Sequence, residues 1–145
     1  MEGTEGAAGT GLNNSTQSFT IDFYAAENEQ VLSADAGEGG TGNGARFILQ
    51  APNVFTAMNW KESTAGTNNS QTKDVFTNKD GKVFRVSIWI QNKRGRLYID
   101  KTKVLDVPFF MPEGILCNAI SIKSIQPNAE DYNFFTNLRI AGIAK

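Results

Sequence analysis

The sequence predicts an all-β protein, an antiparallel β-sandwich of the jelly-roll type. Three observations carry that expectation. Short segments of apolar–polar alternation recur along the chain, turn signals built from Gly, Asn and Asp separate them, and no stretch shows the period of an amphipathic helix. With 145 residues the chain suits one domain and is long enough to bury a real core.

Residues 1–16 are small and polar and read as a flexible lead-in, leaving 17–145 as the β-domain. QSFTIDFYA opens it: Phe19, Ile21 and Phe23 share one face of a half-buried strand, with Thr20, Asp22 and Tyr24 on the other. A glycine-rich loop, AGEGGTGNG, follows. RFILQ and VFTAMNW then read as two short strands parted by Ala51-Pro52-Asn53. Residues 61–81 read mostly as loop, with Asp80-Gly81 as a turn signal.

KVFRVSIWIQ carries the strongest strand pattern in the chain. Phe84, Val86, Ile88 and Ile90 fall on one face; Arg85, Ser87 and Trp89 fall on the other. Asn92 to Gly95 turn the chain, RLYID returns, Lys101-Thr102 turn it again, and KVLDV runs on, which makes a three-strand meander. NAISIKSI and NFFTNLRIAGI read as the closing strands. The expected total is about eight short strands.

Composition narrows function by exclusion. Lys and Arg number 14 against 15 Asp and Glu, so no global field draws in nucleic acid or anionic lipid. The chain contains no histidine, which removes the commonest general base and the commonest neutral metal ligand. Cys117, the single cysteine, sits in the apolar run ILCNAI and reads as a buried, inert thiol rather than a nucleophile. No apolar run approaches the ~20 residues of a membrane span. The first residues lack the basic head and apolar centre of a signal peptide, so the protein is either cytoplasmic or a mature chain.

The meander FRVSIWIQNKRGRLYIDKTKVLDVP resembles that of concanavalin A-like lectin/glucanase jelly rolls. QSFTIDFYA is similar to an early strand of those domains, and NFFTNLRIAGI to their closing strand. The likeness covers about residues 17–143 and is nearest to versions in envelope proteins of Bacteroidota, some of them beside an OmpA-like module. It implies a place in the cell envelope or outside the cell, and favours the mature-chain reading. Such domains usually carry further strands ahead of the early strand, where this chain has only a glycine-rich tail. An unfilled strand position implies an open sheet edge, able to accept a partner strand.

The glucanase branch implies a retaining glycosidase with paired carboxylates in an E-x-D-x-x-E pattern, and that pattern is absent. The nearest spacing, Glu27 and Glu29, has no third carboxylate in register, so the domain is expected not to be an enzyme. No cofactor is expected. Calcium, implied by the legume-lectin branch, has partial donor sets in Asp35 with Glu38 and in Glu130, Asp131 and Asn133, which read equally as solvated loop residues.

A sugar-binding surface stacks a pyranose on an exposed aromatic and rings it with planar polar groups. Arg85, Ser87 and Trp89 lie together on the polar face of the strongest strand, and Tyr98 and Asp100 join them across the hairpin if the register permits. Trp60, at a strand end, is a second candidate platform. Either tryptophan reads also as core, because a sandwich buries one face of each sheet. Lys93, Arg94, Arg96, Lys101 and Lys103 cluster at the two turns around Tyr98 and read as a solvated face rather than a nucleic-acid site. The expected function is a non-catalytic glycan-binding module whose partner is a glycan or cell-wall polysaccharide. The alternative is an interaction domain that docks a protein strand at an open sheet edge.

Overall fold

The computed structural model describes residues 2–4, 18–25, 43–50, 52–61, 64–76, 83–125 and 134–142. These residues form ten strands in two antiparallel sheets, with no helix among them. The strands are β1 (Glu2–Thr4), β2 (Ser18–Tyr24), β3 (Gly44–Gln50), β4 (Val54–Lys61) and β5 (Thr64–Thr72), then β6 (Val83–Gln91), β7 (Arg94–Ile99), β8 (Thr102–Val107), β9 (Ala119–Ile125) and β10 (Phe134–Thr136). The first sheet runs β10-β1-β6-β7-β8 and the second β5-β4-β3-β2-β9.

The expected alternation decides which faces meet. Phe19 and Ile21 of β2, Phe47 and Leu49 of β3 and Phe55 of β4 are sealed against Phe84 and Val86 of β6 and Leu97 and Ile99 of β7. Two phenylalanines from connecting segments complete this core. Phe76 meets Phe84 edge to face at 5.0 Å between ring centroids, and Phe110 stacks on Phe47 at 4.0 Å. Each large apolar side chain so buried is worth about 1.5–3 kcal/mol.

The β6–β7 hairpin turns on two residues, Asn92 and Lys93, both with positive φ of 49° and 68°. That is the type I′ geometry whose twist suits adjoining strands, and Asn tolerates it better than most residues. Arg94 and Gly95, expected inside the turn, already belong to β7. The second turn is centred on Asp100, also at positive φ of 52°, and Lys101.

Three expectations are corrected. Glu2–Thr4, assigned to a flexible lead-in, pairs with β6 and β10. Thr64–Thr72, read as loop because it lacks apolar alternation, is an edge strand, held by backbone pairing to β4. Among the described residues of NFFTNLRIAGI, Phe134–Thr136 alone are strand; Asn137 takes positive φ of 54° and the chain leaves the ladder there. Asp80-Gly81 and the rest of the lead-in lie outside the described residues.

Gly95 is where the first sheet makes room for Phe110. A Cβ at this position would lie 2.5–2.7 Å from atoms of the Phe110 side chain, which is itself buried. Gly95→Ala is therefore expected to lower stability by about 1–3 kcal/mol, read as a lower midpoint in denaturant melts at unchanged slope. A melt equal to wild type would show that the Phe110 contact does not hold the sheets.

Candidate functional site

The outer face of the first sheet holds the candidate site. Register, not sequence spacing, assembles it. Ser87 pairs with Tyr98, and Trp89 with Arg96, so these four side chains occupy adjoining rows on one face. Across β7, Arg96 pairs with Asp106 and Tyr98 with Lys103, because an irregularity between Leu97 and Tyr98 shifts the β8 register. Trp89 is the most prominent member, 52% exposed two residues before the end of β6. Its indole N–H points to Gln91 Oε1 at 3.4 Å, a long contact that leaves the donor available to a better partner.

The charges beside Trp89 are organised around one carboxylate. Asp106 accepts from Arg94 at 2.5 Å and from Lys103 at 2.9 Å, with Arg96 at 3.6 Å. The hydrogen bond from Arg94 and then that from Lys103 hold its carboxyl well below the usual range. The same contact raises Arg94. Three cations on one anion leave the patch net positive. Lys93 pairs instead with Glu113 at 2.7 Å. The basic cluster read from the sequence is thus largely spent in ion pairs on a solvated face.

The other candidates are placed differently. Arg85 and Asp100 close the far end of the hairpin: the Arg85 amide donates to Asp100 Oδ1 at 2.9 Å, and the Asp100 amide to the Arg85 carbonyl at 2.8 Å. With Val83, Phe84 and Lys101 they line a shallow hollow of about 290 Å³. Four residue steps along the strand part Arg85 from Trp89, about 13 Å, so the expected set splits into a Trp89–Ser87–Tyr98 patch and a separate Arg85–Asp100 end.

Trp60 does not present a stacking face. It is 1% exposed, lying in the row of Tyr24 and Gly44 on the outer side of the second sheet. A Cβ on Gly44 would come within 2.8 Å of its ring, so the bare glycine backbone is what lets the indole settle against the sheet. The Arg46 guanidinium sits 5.9 Å from its centroid.

Arg46 belongs to a buried arrangement that the sequence did not reveal. It binds Asp22 through Nε at 2.7 Å and Nη2 at 3.3 Å. Burial pushes Asp22 up despite that partner. Near it, the Thr20 hydroxyl and the Trp60 indole N–H are buried with no hydrogen-bond partner among the described residues. The signal available was Asp22 alternating with Phe19, Ile21 and Phe23, but nothing in GARFILQ marks Arg46 as its partner.

Cys117 is half-buried, and burial lifts its thiol to about 11, which keeps it protonated at neutral pH. Glu27, Glu29, Asp35, Glu38, Glu130, Asp131 and Asn133 lie outside the described residues. Among the described residues no group of three acids or thiols is placed to hold a metal.

No protein-family model matches this chain, and no curated protein matches it. Among solved structures, sheep galectin-11 in complex with glycerol superposes with a TM-score of 0.53 at 10% identity, over 84% of this chain and 85% of that one. That likeness is one of fold: a two-sheet β-sandwich of the galectin kind.

The Asp106 cluster has a pH signature. Because its carboxyl titrates lower folded than unfolded, its stabilisation is present above the unfolded value near 3.8 and is lost as pH falls through the lower folded one. A carboxyl-carbon NMR titration is expected to show Asp106 ionised below pH 3.8 in the folded protein, and Arg94→Ala to move its midpoint upward. A wild-type midpoint at the ordinary value would remove the cluster.

Proposed function

We propose that this domain is a non-catalytic carbohydrate-binding module, and that the outer face of β6–β8 holds the sugar. The observation that carries the reading is Trp89, half-exposed two residues before the end of β6, where an open sheet face ordinarily carries polar residues. A pyranose has an apolar C–H face that stacks on an indole, and hydroxyls at its rim that need planar donors and acceptors. Arg96, Ser87, Tyr98 and Gln91 stand around Trp89 to supply them. Arg96 brings rigid, directional donors, and the surplus positive charge favours uronic or other acidic sugars.

The galectin-like sandwich supports a lectin-like role. The concanavalin A-like resemblance of the meander supports a setting in the cell envelope or outside the cell, with cell-wall polysaccharide as the partner class. Weak, millimolar-to-micromolar binding is expected of so open a face, because little of the ligand is enclosed.

A glycan array that includes acidic polysaccharides and peptidoglycan fragments tests the proposal. Binding by the wild-type domain is expected to drop at least about tenfold, about 1.4 kcal/mol, in Trp89→Ala. The mutant should melt with wild-type stability, since exposed side chains contribute little to folding. Binding that survives the substitution would move the site off this face. An array with no response would leave the lectin reading without support.

A further inference from the structure

Three cations meet at Asp106, and their distances to it are unequal. Arg94 Nε donates to Oδ1 at 2.5 Å and Lys103 Nζ to Oδ2 at 2.9 Å, so each carboxylate oxygen already has a donor. Arg96 Nε stands 3.6 Å from the Oδ1 that Arg94 holds, too far for a hydrogen bond. Arg96 is thus the one member of the cluster whose donors are not committed to the carboxylate.

Register explains the difference. Trp89 of β6, Arg96 of β7 and Asp106 of β8 are direct cross-strand partners, so they form one row with Arg96 in the middle. Neighbours in such a row lie about 5 Å apart between Cβ atoms. The Arg96 guanidinium can therefore turn toward Asp106 or toward the indole. Arg94 lies in the next row toward the β6–β7 turn, opposite Gln91, and Lys103 in the next row the other way, opposite Tyr98. In a regular strand, residues three apart lie on opposite faces. The irregularity opposite Leu97 and Tyr98 is what brings Lys103 onto the face of Asp106. With both oxygens occupied from the flanking rows, Arg96 is left to the Trp89 side.

We propose that Arg96 recognises a carboxylate on the bound sugar, with Arg94 and Lys103 as positioning residues that set this selectivity by keeping Arg96 off Asp106. The inference rests on the glycan reading of the Trp89 face and narrows its ligand class to hexuronic acids and their chains. A pyranose stacked on the Trp89 indole carries its C5 carboxylate at the edge of the ring, within one strand spacing of its centre. Arg96 stands one such spacing from Trp89, and its planar fork takes a carboxylate through two parallel N–H donors. Asp106 competes for those same donors. Remove Arg94 or Lys103, and one of its oxygens becomes an intramolecular partner for Arg96, which a dilute sugar does not displace.

The test uses the full chain, with trigalacturonic acid and its methyl ester as probes, the same rings with and without charge. Chemical-shift titration by NMR is expected to show the acid bound about three- to fivefold tighter, the scale of one exposed ion pair. Arg96→Gln should abolish that preference. Lys103→Ala should weaken it, while Lys101→Ala, which removes the same charge from a side chain outside the Asp106 cluster, should not. A measurement without sugar separates capture from charge alone. The Nε–H signal of Arg96 should move downfield and exchange more slowly with water in Arg94→Ala, as Arg96 bonds to Asp106. An Arg96 signal unmoved by Arg94→Ala would overturn the positioning role whatever the sugars do. Equal affinity for acid and ester, or a preference that survives Arg96→Gln, would overturn the selectivity and leave Trp89 as a platform for neutral sugars. Binding of neither probe would overturn the inference through its ligand class, and the glycan array then decides the wider reading on its own.

Discussion

The two sheets are tied together by Phe110. Its ring leaves the end of β8, passes over Gly95 of the first sheet and stacks on Phe47 of the second, while Phe23 meets it edge-on at 6.1 Å. Asn59 of β4 holds the backbone behind it, donating to the Phe109 carbonyl at 2.6 Å and the Phe110 carbonyl at 3.0 Å. Without that clamp the segment joining the sheets would carry two inward carbonyls with no donor, a loss of about 1–3 kcal/mol each if buried. The contact also fixes which side of each strand is inside. Once Phe110 is seated, Leu97 and Ile99 must face Phe47 and Leu49, and Ser87, Trp89, Arg96 and Tyr98 must face out.

That division separates two kinds of polar group. On the first sheet, Asp106 and its three cations are half-open to water, where ion pairs contribute little to folding and remain free to rearrange around a ligand. On the second, the Asp22–Arg46 pair is buried, with Asp22 at 1% exposure. There, taking the Asp22 carboxylate out of water costs more than its pairing with Arg46 returns, and burial pushes its carboxyl up. The two clusters use the same residue types for different ends. The buried one orders the face on which Trp60 is packed; the open one lies beside a tryptophan that is half exposed.

The cleft beside β6 brings the two sheets and the segment after β10 together: Ile21, Phe23 and Ile120 of the second sheet, Val86, Ile88 and Ile90 of β6, and Leu138 and Ile140 line it. Ser87 and Trp89 line it too, so this apolar cleft and the face that carries Trp89 form one continuous surface.

Alternation by itself determined the β class, the inward rows of β2 and β6, and a turn within Asn92–Gly95, because a period of two leaves one face to bury. That the turn has only two residues, Asn92 and Lys93, was settled by the register of β6 and β7. Alternation also placed Arg85, Ser87 and Trp89 on a common face. It did not find β5, whose polar, unpatterned residues become strand only through backbone bonds to β4, nor β1, too short to show any period. The two tryptophans could be told apart only in three dimensions. Trp60 and Trp89 both point outward, and what separates them is Gly44, which lets one indole lie against the sheet, while across from the other stands Arg96. The pairing of Asp22 with Arg46 spans 24 residues and depends on the β2–β3 register. Register is set by packing across the whole sheet, so which side chains share a surface was a decision of the tertiary structure alone.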